Sequence, residues 1–275
     1  MSFNTLRRPK QGTLMLRVLP LMYIALLIVL PMLALTWEAL RGGIDPLVQQ
    51  LAMPQALHAL TLTFGIALAM VLINIVTGTA LAWVMVRYDF PCKRFLNAMI
   101  DIPFAIPTVV TGMMLVTLYG PNSALGVIMG ELGIEIIFAK PGIILALLFV
   151  TFPFVTRSVQ PVLMELDTDM EEAAGTLGAS RIKTFFRVVL PVLMPSILSG
   201  AALSFSRALG EFGSIVIVAG NIPMKTQVAA VYVYGEIESA NMPGALGVSM
   251  VLLVSSFLIL LMLNGLQRWS HRYEH

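Results

Sequence analysis

The chain has 275 residues, 58% of them hydrophobic and only 12% charged, about half the charged share of an ordinary soluble domain. Its mean hydropathy is +0.88. This composition excludes a soluble globular enzyme and a disordered chain, since disorder needs low hydrophobicity and high net charge, whereas 17 basic residues here nearly balance 15 acidic ones. Nucleic-acid binding is excluded too, because it needs basic residues clustered on an aqueous face. One cysteine, Cys92, can form no intramolecular disulfide, and His58, His271 and His275 are too scattered for a metal site. No Gly-Lys dipeptide is present, so the chain has no Walker A loop. An all-α membrane protein is expected.

Crossing a hydrocarbon core of roughly 30 Å takes about 20 apolar residues in a helix, because every amide must be bonded inside the segment. Six stretches qualify, at 18–37, 60–86, 98–119, 142–159, 197–219 and 246–266. The first follows Arg7, Arg8, Lys10 and Arg17. Its apolar run exceeds the roughly 7 to 15 residues of a signal peptide and lacks a small-residue cleavage site. An uncleaved helix at 18–37 is therefore expected after an N-terminal segment, 1–17. The third stretch carries Asp101, Pro103 and Pro107 at its start. These predict either a frayed beginning or an irregular turn lining a translocation cavity, where unbonded backbone can meet water.

Lys and Arg concentrate in cytoplasmic loops. Here they gather at 1–17, after the second stretch (Arg87, Lys93, Arg94), after the fourth (Arg157, Arg181, Lys183, Arg187) and in the tail, 268–275 (Arg268, Arg272). The other side holds Arg41, Lys140 and Lys225, and Arg207 lies within the fifth stretch. Both termini are therefore expected in the cytoplasm.

The connection 160–194 is long and patterned. Thr168 and Glu171 have capping-box spacing, and Asp169, Glu171 and Glu172 put negative charge where a helix dipole favours it, which predicts a helix starting near Asp169. Gly175 and Gly178 predict its end or a bend. A second helix is expected from Ser180, with Ile182, Phe185, Phe186, Val189 and Leu190 on one apolar face, stopped by Pro191. The string Glu172-Ala173-Ala174, Gly178, Val188, Leu190-Pro191 resembles the EAA loop of binding-protein-dependent ABC importer permeases, with Val188 where the family usually has isoleucine. The resemblance implies that Glu171, Glu172, Ala173, Ala174, Gly178, Leu190 and Pro191 couple the chain to a separate ATPase subunit.

Charged residues inside a span are costly and are functional candidates. In SGAALSFSRALGEFGS, Gly200, Ser204, Arg207, Glu211 and Ser214 recur at helical spacing and predict one polar stripe on a continuous helix. Two readings coexist: an ion pair that locks helix packing, and a cationic element of an anion path. A swap of the two charges would preserve transport if the pair were only structural.

Residues 98–112, 152–163 and 204–221 resemble the sulfate/thiosulfate ABC importer permease family. Arg-x-Leu-Gly-Glu-Phe-Gly at 207–213 is shared with molybdate and tungstate permeases, and Asp101-Ile-Pro-Phe-Ala-Ile-Pro favours sulfate. The resemblance implies a type I ABC importer permease (MetI-like) fold with six transmembrane helices, five of them in a core at 56–267. It implies a bacterial cytoplasmic (inner) membrane location, and no catalysis or cofactor in this chain, with ATP and Mg bound by the ATPase. Expected partners are the lipid bilayer, a homologous second permease subunit, two ATPase subunits and a periplasmic or lipid-anchored sulfate-binding protein. The alternatives are a molybdate/tungstate permease and a stand-alone secondary transporter or channel. The latter would have no use for a docking loop.

Overall fold

A backbone in hydrocarbon finds no water, and a helix bonds its amides without any partner segment. The computed structural model, which describes residues 11–270, obeys this throughout: its described residues form helices and short connections, with no strand among them. In chain order these are α1 (Leu16–Arg41 over its apolar length), α2 (Ile44–Leu51), α3 (Pro54–Arg87), α4 (Lys93–Met99), α5 (Ile102–Ala105), α6 (Thr108–Tyr119) and α7 (Ala124–Glu131). Then follow α8 (Lys140–Glu165), α9 (Asp169–Thr176), α10 (Arg181–Leu209), α11 (Gly213–Ala219), α12 (Ala229–Glu238) and α13 (Met242–Ser270). Five helices, α1, α3, α8, α10 and α13, are long and apolar enough to cross a membrane. The pair Lys93–Ala105 and Thr108–Tyr119, bent by 111°, is apolar enough to make a sixth if taken together as one broken span. Pro107 explains that bend: it has no N–H, and it forces Ile106 into extended backbone (φ −83°, ψ 128°). Arg7, Arg8 and Lys10, with Arg272 and most of the expected tail, lie outside the described residues.

Two expectations are corrected. The fifth stretch is not one helix over 197–219: α10 begins at Arg181 and ends at Leu209, and α11 starts anew at Gly213. Gly210 and Gly213 flank the interruption, and glycine is a poor helix former. Pro191 does not stop α10. A π-helical turn, Phe185–Val189, closes just before it, with the Leu190 amide donating to the Phe185 carbonyl five residues back. The wider turn moves the carbonyl that the proline ring would strike and that its missing N–H would leave unbonded. α1 repeats the device, with a π turn at Ala25–Val29 before Pro31.

The core is built on α3, α8 and α10. Lipid is as apolar as leucine, so these helices are held by close packing and interhelical hydrogen bonds rather than by expulsion of water. Small residues permit the approach. A Cβ on Gly78 would lie 2.8 Å from the Val155 Cβ, and one on Gly200 would lie 2.7 Å from the Val155 Cα, so Val155 of α8 is wedged between α3 and α10. Thr151, one turn away, ties the same three helices. The Asn74 amide donates to its hydroxyl (2.8 Å), and the Ser204 hydroxyl donates to its carbonyl (3.3 Å). α11 crosses α6 where glycines meet: a Cβ on Gly213 would run into the Thr108 Oγ1, and one on Gly112 would lie 2.8 Å from the Ser214 carbonyl oxygen.

Because the obstacle at Gly200 is backbone, Gly200→Ala is expected to destabilise by about 1–3 kcal/mol, the usual cost of overpacking. Thermal unfolding in detergent measures this against Gly65→Ala, whose added methyl meets nothing within 4 Å and should lower stability little or not at all.

Candidate functional site

The loop between α8 and α10 folds as two helices around a glycine turn. The Asp167 carboxylate accepts from the Asp169 amide (3.0 Å) at the start of α9, while Thr168 makes no side-chain cap. The expected capping box is absent because Glu171 is engaged elsewhere, by the Arg87 guanidinium at the end of α3. An ion pair with an arginine outweighs a neutral backbone hydrogen bond. Beyond Arg87 the chain turns at Asp89, whose carboxyl is held below its usual range by a hydrogen bond from Lys93 and by that residue's charge.

α9 ends as a Schellman turn. The Gly178 amide donates to the Gly175 carbonyl and the Ala179 amide to the Ala174 carbonyl, with Gly178 in the left-handed region at φ +80°. Ser180 caps α10 by accepting from the Lys183 amide (3.4 Å). Glu172, Ala173 and Gly178 are exposed, Ala174 and Leu190 half-buried, and Pro191 exposed. The expected apolar face of the second helix is split. Val189 is buried and Phe185 meets Trp83 of α3 edge to face at 5.3 Å, whereas Ile182, Phe186 and the neighbouring Leu177 point outward.

A second constellation sits at the broken third span. Arg157 was expected in a loop but lies inside α8, eight residues before its end. Its Nε and Nη2 grip the Asp101 carboxylate side-on at 2.7 Å each; Nη1 donates to Asn97 Oδ1 (3.0 Å) and Gln160 Oε1 (2.6 Å), and Nη2 also donates to the Asn97 carbonyl (2.7 Å). A guanidinium has five N–H donors, and all are taken. Asp101 is therefore the counter-ion that clamps α4 and α5 onto α8. Pro103 beside it is buried, and Pro107 is exposed at the break.

The third constellation bridges α10 and α11. Arg207 Nη1 lies 2.8 Å from Glu211 Oε2, the side chains being 36% and 1% exposed. Glu211 is not on the helix with Arg207, as the stripe required, but in the interruption that follows it. Its Oε1 accepts from the Ser214 amide (2.9 Å) and hydroxyl (2.8 Å), capping α11. Ser204 and Ser214 are fully buried. Among the described residues Arg207 has Glu211 as its sole polar partner, so most of its donors remain open on an accessible surface.

Arg87 and Arg157 were missed as site residues, although signals for both exist. Arg87 stands four residues after Trp83 on one helix face, and Arg157 is the single charge in an otherwise uncharged run, where it requires a partner. No three His, Cys, Asp or Glu side chains converge as a metal site among the described residues.

The capping role changes what substitutions test. An arginine at 211 offers no acceptor to Ser214, so a charge swap fails even for a purely structural pair. Glu211→Gln keeps an acceptor oxygen for Ser214, whereas Glu211→Ala leaves the Ser214 amide unbonded, and is expected to cost about 1–3 kcal/mol more. Thermal unfolding of the two variants in detergent measures that gap; equal stability would remove the capping role.

The family model described as "Binding-protein-dependent transport system inner membrane component" matches residues 74–272. The chain is 44% identical over 258 residues to the sulfate transport system permease protein CysT of Synechocystis sp., covering 94% of this chain and 90% of that one. It is 41% identical over 252 residues to the protein of the same name from Synechococcus elongatus, covering 92% and 91%. Among solved structures, a chain of a bacterial alginate ABC transporter, crystallised with an alginate pentasaccharide-bound periplasmic protein, matches with a TM-score of 0.76 at 19% identity over 94% of both chains. The inward-facing MetNI methionine ABC transporter gives 0.56 at 17% identity, over 77% of this chain and 94% of that one. These structural likenesses establish a type I ABC importer permease (MetI-like) fold, and the family model with the apolar helices makes the chain a multi-pass membrane protein. Together with the family model and the near-full-length relatives, they show that the chain belongs to the family of binding-protein-dependent transport system inner membrane components.

Proposed function

We propose that this chain is the permease subunit of an ATP-driven ABC importer for sulfate or thiosulfate. The observation that carries the substrate is the 44% identity to a sulfate transport permease across 94% of the chain. The geometry supports a mechanism. α9, with Glu172, Ala173 and Gly178 exposed and the apolar side chains of Leu177, Ile182 and Phe186 beside them, forms a raised element at one end of the bundle. It fits a groove on a separate ATPase subunit. The basic residues around it orient that end to the cytoplasm of a bacterial inner membrane, with both termini on the same side. Two ATPase subunits, a homologous second permease and a sulfate-binding protein on the outer face complete the assembly, and ATP and Mg belong to the ATPases.

Transport follows as alternating access: closure of the ATPases moves α9, and the helices that carry it open and close the path. Within that path Arg207 is the anion-facing group. It differs from Arg157, which is about as accessible, in having open donors, and Glu211 holds it until a doubly charged oxyanion competes. Ser214, Asp101, Pro103 and Pro107 act around the path by fixing the helix breaks, and Ser204 by tying α10 to α8, rather than by touching substrate.

Radiolabelled sulfate uptake in a permease-deleted strain complemented with this chain tests the substrate, with thiosulfate and molybdate as competitors. Sulfate uptake inhibited by thiosulfate is expected; strong molybdate uptake without sulfate uptake would overturn the assignment. Gly178 tests the docking element. Because its backbone is left-handed, Gly178→Val costs about 1–2 kcal/mol locally, and is expected to reduce both copurification of the ATPase and uptake. A valine variant normal in both removes Gly178 from the coupling machinery.

A further inference from the structure

The short helix α9 is joined by chain to α8 on one side and to α10 on the other. It has a third attachment, to α3. Arg87, the last residue of α3, is paired with Glu171 in a half-buried setting, the two side chains being 17% and 23% exposed. The same guanidinium reaches the Leu166 carbonyl (3.5 Å), where the chain leaves α8, and its carbon lies 5.6 Å from the Trp83 ring centroid. Trp83 in turn meets Phe185 of α10 edge to face. One arginine thus contacts the coupling helix, the segment leading into it and, through Trp83, the helix leaving it. The Arg87 Nε is buried with no partner of its own.

Such a pair does not come apart easily. Half-buried charges are screened less than surface ones, and separating them would leave a guanidinium over the face of Trp83 with one hydrogen bond fewer. A half-open cavity of about 420 Å³ is lined by Arg87 and Glu171 themselves together with Tyr88, Glu172, Arg181 and Thr184, so the pair spans a gap between α9 and the end of α3 rather than a packed seam. Any displacement of α9 is therefore passed to the end of α3. α3 is packed against α8 through Gly78 and Val155, so motion entering at Glu171 reaches the bundle core.

We propose that Arg87 is a positioning residue for transport, tying the coupling helix to α3 through Glu171, so that ATPase movement enters the membrane along α3 as well as through α8 and α10. The inference rests on the reading of the chain as an importer permease. It says of Glu171 that its partner lies within this chain, which separates it from the exposed Glu172.

The test uses the complete transporter, with its ATPase and binding protein, in proteoliposomes. Sulfate uptake and ATP hydrolysis are measured side by side for Arg87→Met, Arg87→Lys, Glu171→Gln and the exchange of Arg87→Glu with Glu171→Arg. Arg87→Met and Glu171→Gln are expected to lower sulfate moved per ATP hydrolysed by roughly tenfold, within the range that mutations along a coupling network produce, with ATPase association kept. Arg87→Lys should fall between, and the exchange should recover a substantial part of the loss. Hydrogen exchange at the amides of 169–176 should speed up in Arg87→Met, a readout independent of substrate. An unchanged transport-to-hydrolysis ratio together with unchanged exchange overturns the proposal. If Arg87→Met fails to assemble, the near-isosteric Glu171→Gln decides by the same two measurements. A wild-type complex that moves no sulfate overturns the proposed function instead, and the exchange difference then decides the tether by itself.

Discussion

A helix interrupted inside hydrocarbon exposes amides and carbonyls that only the protein can satisfy, and the placing of this chain's few charges follows from that requirement. The carboxylate of Glu211 stands in the gap between Leu209 and Gly213, bonded to the amide that opens α11 and paired with the arginine that nearly closes α10. Asp101 stands between α4 and α5, gripped by Arg157. Arg87 ends α3, and its partner Glu171 lies in the first turn of α9. Each ion pair thus serves a helix end. Were the apolar helices unbroken, most of these charges would be a cost with nothing to offset it.

The two intramembrane arginines show how the same side chain is turned to different ends by its surroundings. Arg157 has every N–H engaged by groups on α4, on the turn between α4 and α5 and on α8, and so behaves as a rivet. Arg207 has one carboxylate, itself shared with Ser214, and faces an accessible surface. Its unused donors are what the proposed anion path relies on.

Much of the fold was legible because hydrophobic length is a direct consequence of bilayer thickness. Five long apolar helices fall where residue type places apolar stretches, although the fifth stretch ran past the break after Leu209, and the turn at Gly178 was also expected; Pro103 and Pro107 left a frayed start and an irregular turn equally open. What stayed hidden was decided by contact or by backbone phase. Spacing proposed Thr168 as the partner of Glu171, but Arg87, distant in sequence, was the stronger competitor. Similarly, a stripe drawn through 200–214 assumed one helix, and Gly210 and Gly213 let a tertiary crossing with α6 break it. The face of the second loop helix was misread because a π turn inserts an extra residue before Pro191. That rotates everything beyond it by about 100°, the angular step of one residue. Ile182 and Phe186 therefore fall outside the face that Val189 buries.

The Arg87 contact also bears on statics. A rod held at its two ends can still roll about the line joining them, and α9 is such a rod, with chain running to α8 and α10. A third support away from that line removes the roll. With Glu171 pinned to α3, the exposed flank carrying Glu172 and Ala173 keeps a fixed heading relative to the bundle. A push against it then becomes a translation of the membrane helices rather than an idle rotation of the short helix itself.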